Sequence, residues 1–439
     1  MKTYAKSLAA ACCTLCLVAC VGTASFAQTT VSRTRIPAPK DPANAALAAA
    51  QEAIDRNDFA AAVASLQDYL AKKPGDAAAH FQLGYAYTAL QRPTEAKVEY
   101  EKAVALKPDM SEAQLNLGLT LLDADPNAAV EPFRKAAELL PDQAQPIFLL
   151  GKALERSGKL SSAIEQYRAA EQLDAKDLYV HFALARALVK ADRNSEAEPE
   201  FRAALAIRPK AAPVRLELAQ CLYAQKKFDA AAAEYAAYLD SQPGDTAARI
   251  ERASVLVDSG KNDDALAELD RAAAAGPEGL RALKLRSLID FQTKRYDDAI
   301  PTLQKAAVLA PQDPDIPAQL GHVYLEKKDY PNAVQQLIVA LKMNPASNDV
   351  LGDLVTAQYL NKNYRAALQG LDVMSHREPL PVGSWFVRAT CYDRLGQPFD
   401  ALDAYQKFLQ LNKDLNSDMY FEAAARARTL ARELKDKKR

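Results

Sequence analysis

Apolar side chains along the chain recur three and four residues apart in stretches of about a dozen residues, the spacing that gathers them on one face of a helix. Polar turn sequences such as RNDF, ERSGKL, KKDY and NKNY separate one stretch from the next, so the pattern predicts short amphipathic helices joined by tight turns. A longer rhythm lies over the helical one. Residues 82–108 read QLGYAYTALQRPTEAKVEYEKAVALKP and residues 319–345 read QLGHVYLEKKDYPNAVQQLIVALKMNP, starting 237 residues apart, which is seven periods of 34 less one. Aligned on that period the chain shows eleven repeats, beginning near residues 43, 77, 111, 144, 178, 212, 246, 280, 314, 348 and 382, with only the third short by one residue.

Each repeat holds two amphipathic stretches, read as a pair of antiparallel helices. The eighth position is small almost throughout (Ala50, Gly84, Gly118, Gly151, Ala185 and so on), with Val355 as the bulky exception, and the twentieth is alanine in every repeat from Ala62 to Ala401. Small residues at both places let the two backbones approach, while larger neighbours such as Leu83, Tyr87 and Tyr100, or Leu150, Leu154 and Tyr167, fill the space beside them. Alanines at 103, 136, 170 and 204 open the second helix to the following repeat. A proline ends most repeats, Pro74, Pro108 and Pro141 among them; lacking an N–H and disfavouring helix before it, it stops the second helix on schedule. Local departures are Asp290 at an apolar eleventh position, Tyr69, Tyr238, Met374 and Phe408 at the small twenty-seventh, and Pro132 inside a second helix beside the deletion, where a bend is expected.

This combination of small, aromatic and proline positions resembles the tetratricopeptide repeat (TPR) over about residues 43–413, and Trp385 supplies the family's favoured aromatic at the fourth position. The resemblance implies an all-α, right-handed superhelical solenoid of about eleven TPR helix hairpins. It also implies that the first helix of each pair lines a concave groove for partner segments through its second, fifth, ninth, twelfth and thirteenth positions. A lone hairpin cannot bury its apolar face, so the ends need caps. Residues 414–439 read as a C-terminal capping helix and basic tail, with Asn416 or Ser417 as N-cap.

Composition narrows the function. About half of the 439 residues are apolar (49%), glycine is scarce at 15, and the net charge is −1. No Lys/Arg-rich block occurs outside the terminal KDKKR, so bulk electrostatics offers nothing to nucleic acid. The first residues follow another grammar, Lys2 and Lys6 and then SLAAACCTLCLVAC, an apolar run too short to span a bilayer comfortably and read as an export signal. LVAC, residues 17–20, resembles the lipobox of bacterial lipoproteins, making 1–20 the signal peptide and Cys20 the lipidated first residue. SFA before Gln28 offers the other cleavage, with 1–27 removed. Residues 21–42, rich in Thr, Ser and Pro, read as a flexible linker. Of six cysteines only Cys221 and Cys391 lie in the body, five repeats apart and expected to be free and buried.

The sequence carries no recognisable catalytic motif. His80, His181, His322 and His376 are scattered with no HExxH spacing, and two of them occupy the packing-prone fourth position. GKALERSGKLSS fails as a phosphate loop, because Ala153 and Leu160 stand where Gly and Ser/Thr are required, and Gly158 reads instead as a helix C-cap. No catalytic, cofactor or metal signature remains, so no enzyme, cofactor or metal is expected.

The candidate binding residues lie on the inner face that the resemblance implies. Phe148, Tyr179 and Phe182 offer aromatic anchors, while Lys152, Arg156, Arg186 and Lys190 form a basic stripe on neighbouring helices, with Glu155 neutralising part of it. The expected partners are protein or peptide segments, acidic ones among them, with no nucleic acid and with membrane contact through a lipid anchor alone. Neither the groove residues of a carboxylate clamp nor an asparagine ladder is assembled. By analogy with exported TPR proteins the expected role is a non-catalytic scaffold of the bacterial cell envelope, periplasmic and tethered to the outer membrane by lipid, or, with the other cleavage, soluble in the periplasm or secreted. The alternative is a regulatory or assembly arm of a polysaccharide-export, pilus or secretion complex.

Overall fold

The structure is a computed structural model of the chain and describes residues 42–414 and 416–436. The signal peptide, Cys20 and nearly all of the linker therefore lie outside the described residues. The helices fall in two compact units that divide between Pro141 and Asp142. The first contains α1 (Pro42–Asp55), α2 (Phe59–Lys72), α3 (Ala77–Ala89), α4 (Pro93–Leu106), α5 (Ser111–Leu121) and α6 (Pro126–Leu139). The second begins with α7 (Ala144–Arg156), α8 (Leu160–Leu173), α9 (Leu178–Lys190), α10 (Asn194–Ile207), α11 (Ala212–Ala224), α12 (Phe228–Ser241), α13 (Thr246–Asp258) and α14 (Asn262–Ala275). It continues through α15 (Leu280–Gln292), α16 (Tyr296–Leu309), α17 (Asp315–Glu326), α18 (Tyr330–Met343), α19 (Asn348–Leu360), α20 (Tyr364–Arg377), α21 (Val382–Arg394), α22 (Pro398–Leu411) and α23 (Asp418–Asp436). Among the described residues there is no strand, and no helix is long and apolar enough to cross a membrane. The architecture is an all-α repeat solenoid, its first helices starting within one residue of the positions read from the metre; α1 takes Pro42 from the end of the stretch read as linker.

The reason for close approach is a ring. At the twenty-fourth position each second helix carries a large side chain, such as Tyr100, Phe133, Tyr167 or Phe201, fully buried against the eighth position of its own first helix. A β-carbon on Gly84, Gly118 or Gly151 would meet Tyr100, Phe133 or Tyr167 at 2.7, 2.6 and 2.7 Å. Other repeats carry alanine at the eighth position, as at Ala185 and Ala219, both with no exposure. Every alanine at the twentieth position is likewise at 0%, so the metre records core contacts.

Ten of the eleven hairpins turn in one way. The residue at the fifteenth position has positive φ, in Asn57, Gln91, Asp192, Lys226, Lys294, Lys328 and Lys362 as well as in Gly158, Gly260 and Gly396. The next N–H then reaches back to a carbonyl five residues earlier, as from Arg92 to Tyr87 and from Lys159 to Leu154, both at 2.9 Å; this is the bond of a Schellman C-cap. The third repeat lacks the left-handed residue, which is the one missing from its metre. Its α5 is 11 residues long, and the Asp125 N–H donates to Leu121 at 2.8 Å instead. The deletion is thus absorbed by the first helix, and α6 keeps 14 residues, running unbroken through Pro132.

The departures have local accommodations. Tyr69 and Tyr238 each donate from the hydroxyl to the N-cap aspartate of the next repeat, Asp76 and Asp245, at 2.7 Å. Asp290 is buried and pairs with Arg295 at 3.2 Å. Cys221 and Cys391 are free and buried, and burial pushes the Cys391 thiol up to about 12. The last hairpin is closed by α23, which lays Ala423, Ala427 and Leu430 on Phe408 and its neighbours. Ser417 stands just before that helix, its carbonyl accepting from Tyr420 and Phe421 N–H groups and its own hydroxyl donating to Asp414.

Candidate partner-binding face

First helices of successive repeats lie side by side in the second compact unit, and polar or aromatic contacts join them. Tyr223 of α11 donates to Asp258 of α13 at 2.7 Å, His322 of α17 meets Asp353 of α19 at 3.1 Å, and Arg426 of α23 grips Asp393 of α21 at 2.6 Å. The face is built, helix by helix, from positions on the same side of each first helix.

The basic stripe lies at the start of this row. Lys190 of α9 crosses to α7, where its ammonium donates to Glu155 at 2.5 Å, and the other Glu155 oxygen accepts from Tyr167 at 2.8 Å. Burial raises the Glu155 carboxyl, but Lys190, Tyr167 and the nearby Arg186 charge outweigh it and hold the group below its ordinary range. Arg186 reaches forward to Glu217 of α11 at 3.2 Å. For Glu217 burial wins over Arg186 and Lys190, so its carboxyl is raised. Glu217, at the sixth position, was not foreseen from the sequence; its signal is the cation at the ninth position one repeat earlier. Lys190 and Arg186 are thus each paired with a carboxylate of a neighbouring first helix.

The aromatics divide by role. Phe148 tilts against Tyr167 with ring centroids 5.7 Å apart, and Phe182 against Phe201 at 6.2 Å. Each also carries the cation one turn later, Lys152 over Phe148 and Arg186 over Phe182, both at 5.7 Å. They are half-buried, so they serve the core and leave one side outward. Tyr179 is 60% exposed, its N–H held by the Asp177 cap at 2.7 Å. Arg156 is exposed in the last turn of α7.

The histidines at the fourth position are structural contacts. His80 meets Glu99 at 2.5 Å and the Pro74 carbonyl at 3.0 Å; His181 meets Glu200 at 2.7 Å and the Ala175 carbonyl at 3.1 Å. In the sixth and seventh repeats arginine takes the same slot: Arg215 bonds Glu234 and Pro209, and Arg249 bonds Glu268 and Pro243.

Tetratricopeptide repeat family models match residues 47–109, 182–246 and 250–314, residues 144–177, and residues 384–414, together more than half of the chain. No curated protein matches. Similar solved structures include MamA 41-end from Desulfovibrio magneticus RS-1, 22% identical, covering 40% of this chain and 99% of that one at a TM-score of 0.37. The APC/C hetero-tetramer Cut9-Hcn1 is 16% identical over 88% of this chain and 96% of that one, also at 0.37. The P58(IPK) TPR domain is 17% identical over 74% and 99%, at 0.28. At scores this low the three structures speak to neither partner nor activity here.

Proposed function

The chain belongs to the tetratricopeptide repeat family, and on that premise we propose that it is a non-catalytic scaffold of the bacterial cell envelope, gripping partner segments on the face of its first helices. The repeat family supports a protein-interaction scaffold. The finer reading rests on one observation: Tyr179, 60% exposed, stands on the helix that also presents Phe182 with Arg186 above it and Lys190. An aromatic offers large contact area with few rotors to freeze, and cationic side chains beside it favour an acidic segment by complementarity. The envelope location rests on the leader, with Cys20 as the anchor of the lipoprotein reading.

A photo-crosslinking residue at Tyr179 tests the face in intact cells, with Val308, 80% exposed on the second helix α16, as the control position. Discrete protein adducts from position 179 and none from 308 are expected; equal adducts from both, or none from either, remove the proposal. The anchor is tested separately by palmitate labelling, which should reach the wild type and not Cys20→Ala.

A further inference from the structure

The fourth-position side chain meets two acceptors in four of the repeats. In the second, fifth, sixth and seventh repeats it sits between a main-chain carbonyl and a glutamate of the second helix, both acceptors, and arginine satisfies them directly. His80 faces one carboxylate, Glu99, which also takes Lys102 at 2.8 Å. His181 differs. Its Nδ1 lies 2.7 Å from Glu200 of α10 and 3.7 Å from Glu171 of α8, so two carboxylates converge on one ring nitrogen. Glu171 occupies the twenty-eighth position of its repeat, where every other repeat has an apolar residue or serine.

Charge and geometry both point beyond a proton. Two carboxylates meet one imidazole here, with the Arg168 charge also acting on Glu171, and a divalent ion on a neutral imidazole balances the two carboxylates at the ring nitrogen itself. The Ala175 carbonyl, 3.1 Å from His181 Nε2, accepts that N–H and leaves Nδ1 as a lone pair aimed between the glutamates, the outer-sphere bond that orients a ligating histidine. The three ligand atoms lie within 4.8 Å of one another. Tetrahedral zinc with bonds near 2.1 Å separates its ligands by about 3.4 Å, so small side-chain adjustments open the His181–Glu200 contact and close the other. We infer that Glu171, His181 and Glu200 bind a divalent transition ion, zinc by ligand type, which ties α8 of the fourth repeat to α9 and α10 of the fifth. Imidazole among the ligands disfavours magnesium and calcium. With three protein ligands a water completes the shell.

Calorimetric titration of the purified full chain with zinc chloride, with magnesium as control, tests this. One equivalent of zinc should bind and raise the melting temperature, and magnesium should do neither. Glu171→Gln, at a partly exposed position that leaves the core intact, should weaken zinc at least tenfold, as should His181→Gln, while His80→Gln should bind like the wild type. Absence of zinc uptake, an equal response to magnesium, or unchanged affinity in Glu171→Gln overturns the inference.

Discussion

Gly370 of α20 faces Val355 of α19 so closely that a β-carbon at 370 would stand 2.5 Å from Val355 Cγ2. Val355 is the bulky residue at an otherwise small eighth position, and the glycine opposite makes room for it. By helix propensity alone Gly370→Ala should stabilise by roughly 0.5–1 kcal/mol. Overpacking against a β-branched side chain that cannot swing away costs about 1–3 kcal/mol, so the net effect should be destabilising. Val355→Ala should relieve Gly370→Ala, giving a favourable coupling of about 0.5–3 kcal/mol in a denaturant double-mutant cycle. Additive single effects would refute the pairing.

The hairpin turns make a second case. Gly158 has φ of +79° with open space around its missing β-carbon, so Gly158→Ala should cost about 1–2 kcal/mol through backbone strain alone. At Lys294, φ +59°, the same strain is already present, and Lys294→Gly should raise the denaturation midpoint. Equal midpoints for Gly158→Ala and the wild type would contradict the turn geometry.

How much of this was legible depends on the distance over which a residue acts. Helix starts, the alanines at the twentieth position and the buried cysteines follow from periodicity within one hairpin, and the sequence carries them openly. The left-handed turn residues were less visible because seven of the ten are Asn, Asp, Gln or Lys rather than Gly, although a polar residue at the fifteenth position recurs. The slot joining His181 to Glu200, and the Arg186 contact with Glu217, link residues 19 and 31 apart on different helices. No local pattern announces such pairs. At Pro132 α6 is continuous over its 14 residues, and the deletion is taken up in α5, 11 residues long.

His322 gives a pH dependence with a definite sign. A hydrogen bond from the ring to Asp353, partly opposed by burial and aided by the charges of Asp353 and Glu326, raises its pKa above the usual 6.5. A raised folded-state value means that the stabilisation is complete below the unfolded value and disappears as pH rises through the folded one. Asp353→Asn should therefore bring the His322 midpoint, read by NMR, down toward 6.5. It should also narrow the stability gap to the wild type as pH climbs above that range. An unmoved midpoint would show that the Asp353 contact does not set it.

Glu155 offers the sharpest test of the binding face, because one substitution changes charge without changing shape. Its carboxylate accepts both Lys190 and Tyr167, and a carboxyl held below its ordinary range stays ionised at neutral pH. Glu155→Gln keeps an oxygen for the Tyr167 hydroxyl, so the core contact survives while the face gains one net positive charge and Lys190 loses its ionic partner. If acidic segments dock here, a fluorescent glutamate-rich peptide should bind more tightly. An exposed charge pair contributes about 0.2–1 kcal/mol, which corresponds to roughly 1.5- to 5-fold in affinity, and the salt dependence should steepen. Reversing Lys152, Arg156, Arg186 and Lys190 to glutamate should act in the opposite direction and abolish capture. Weaker or unchanged peptide binding by Glu155→Gln would mean that the four cations serve the fold's own carboxylates, and that partners, if charged, attach elsewhere.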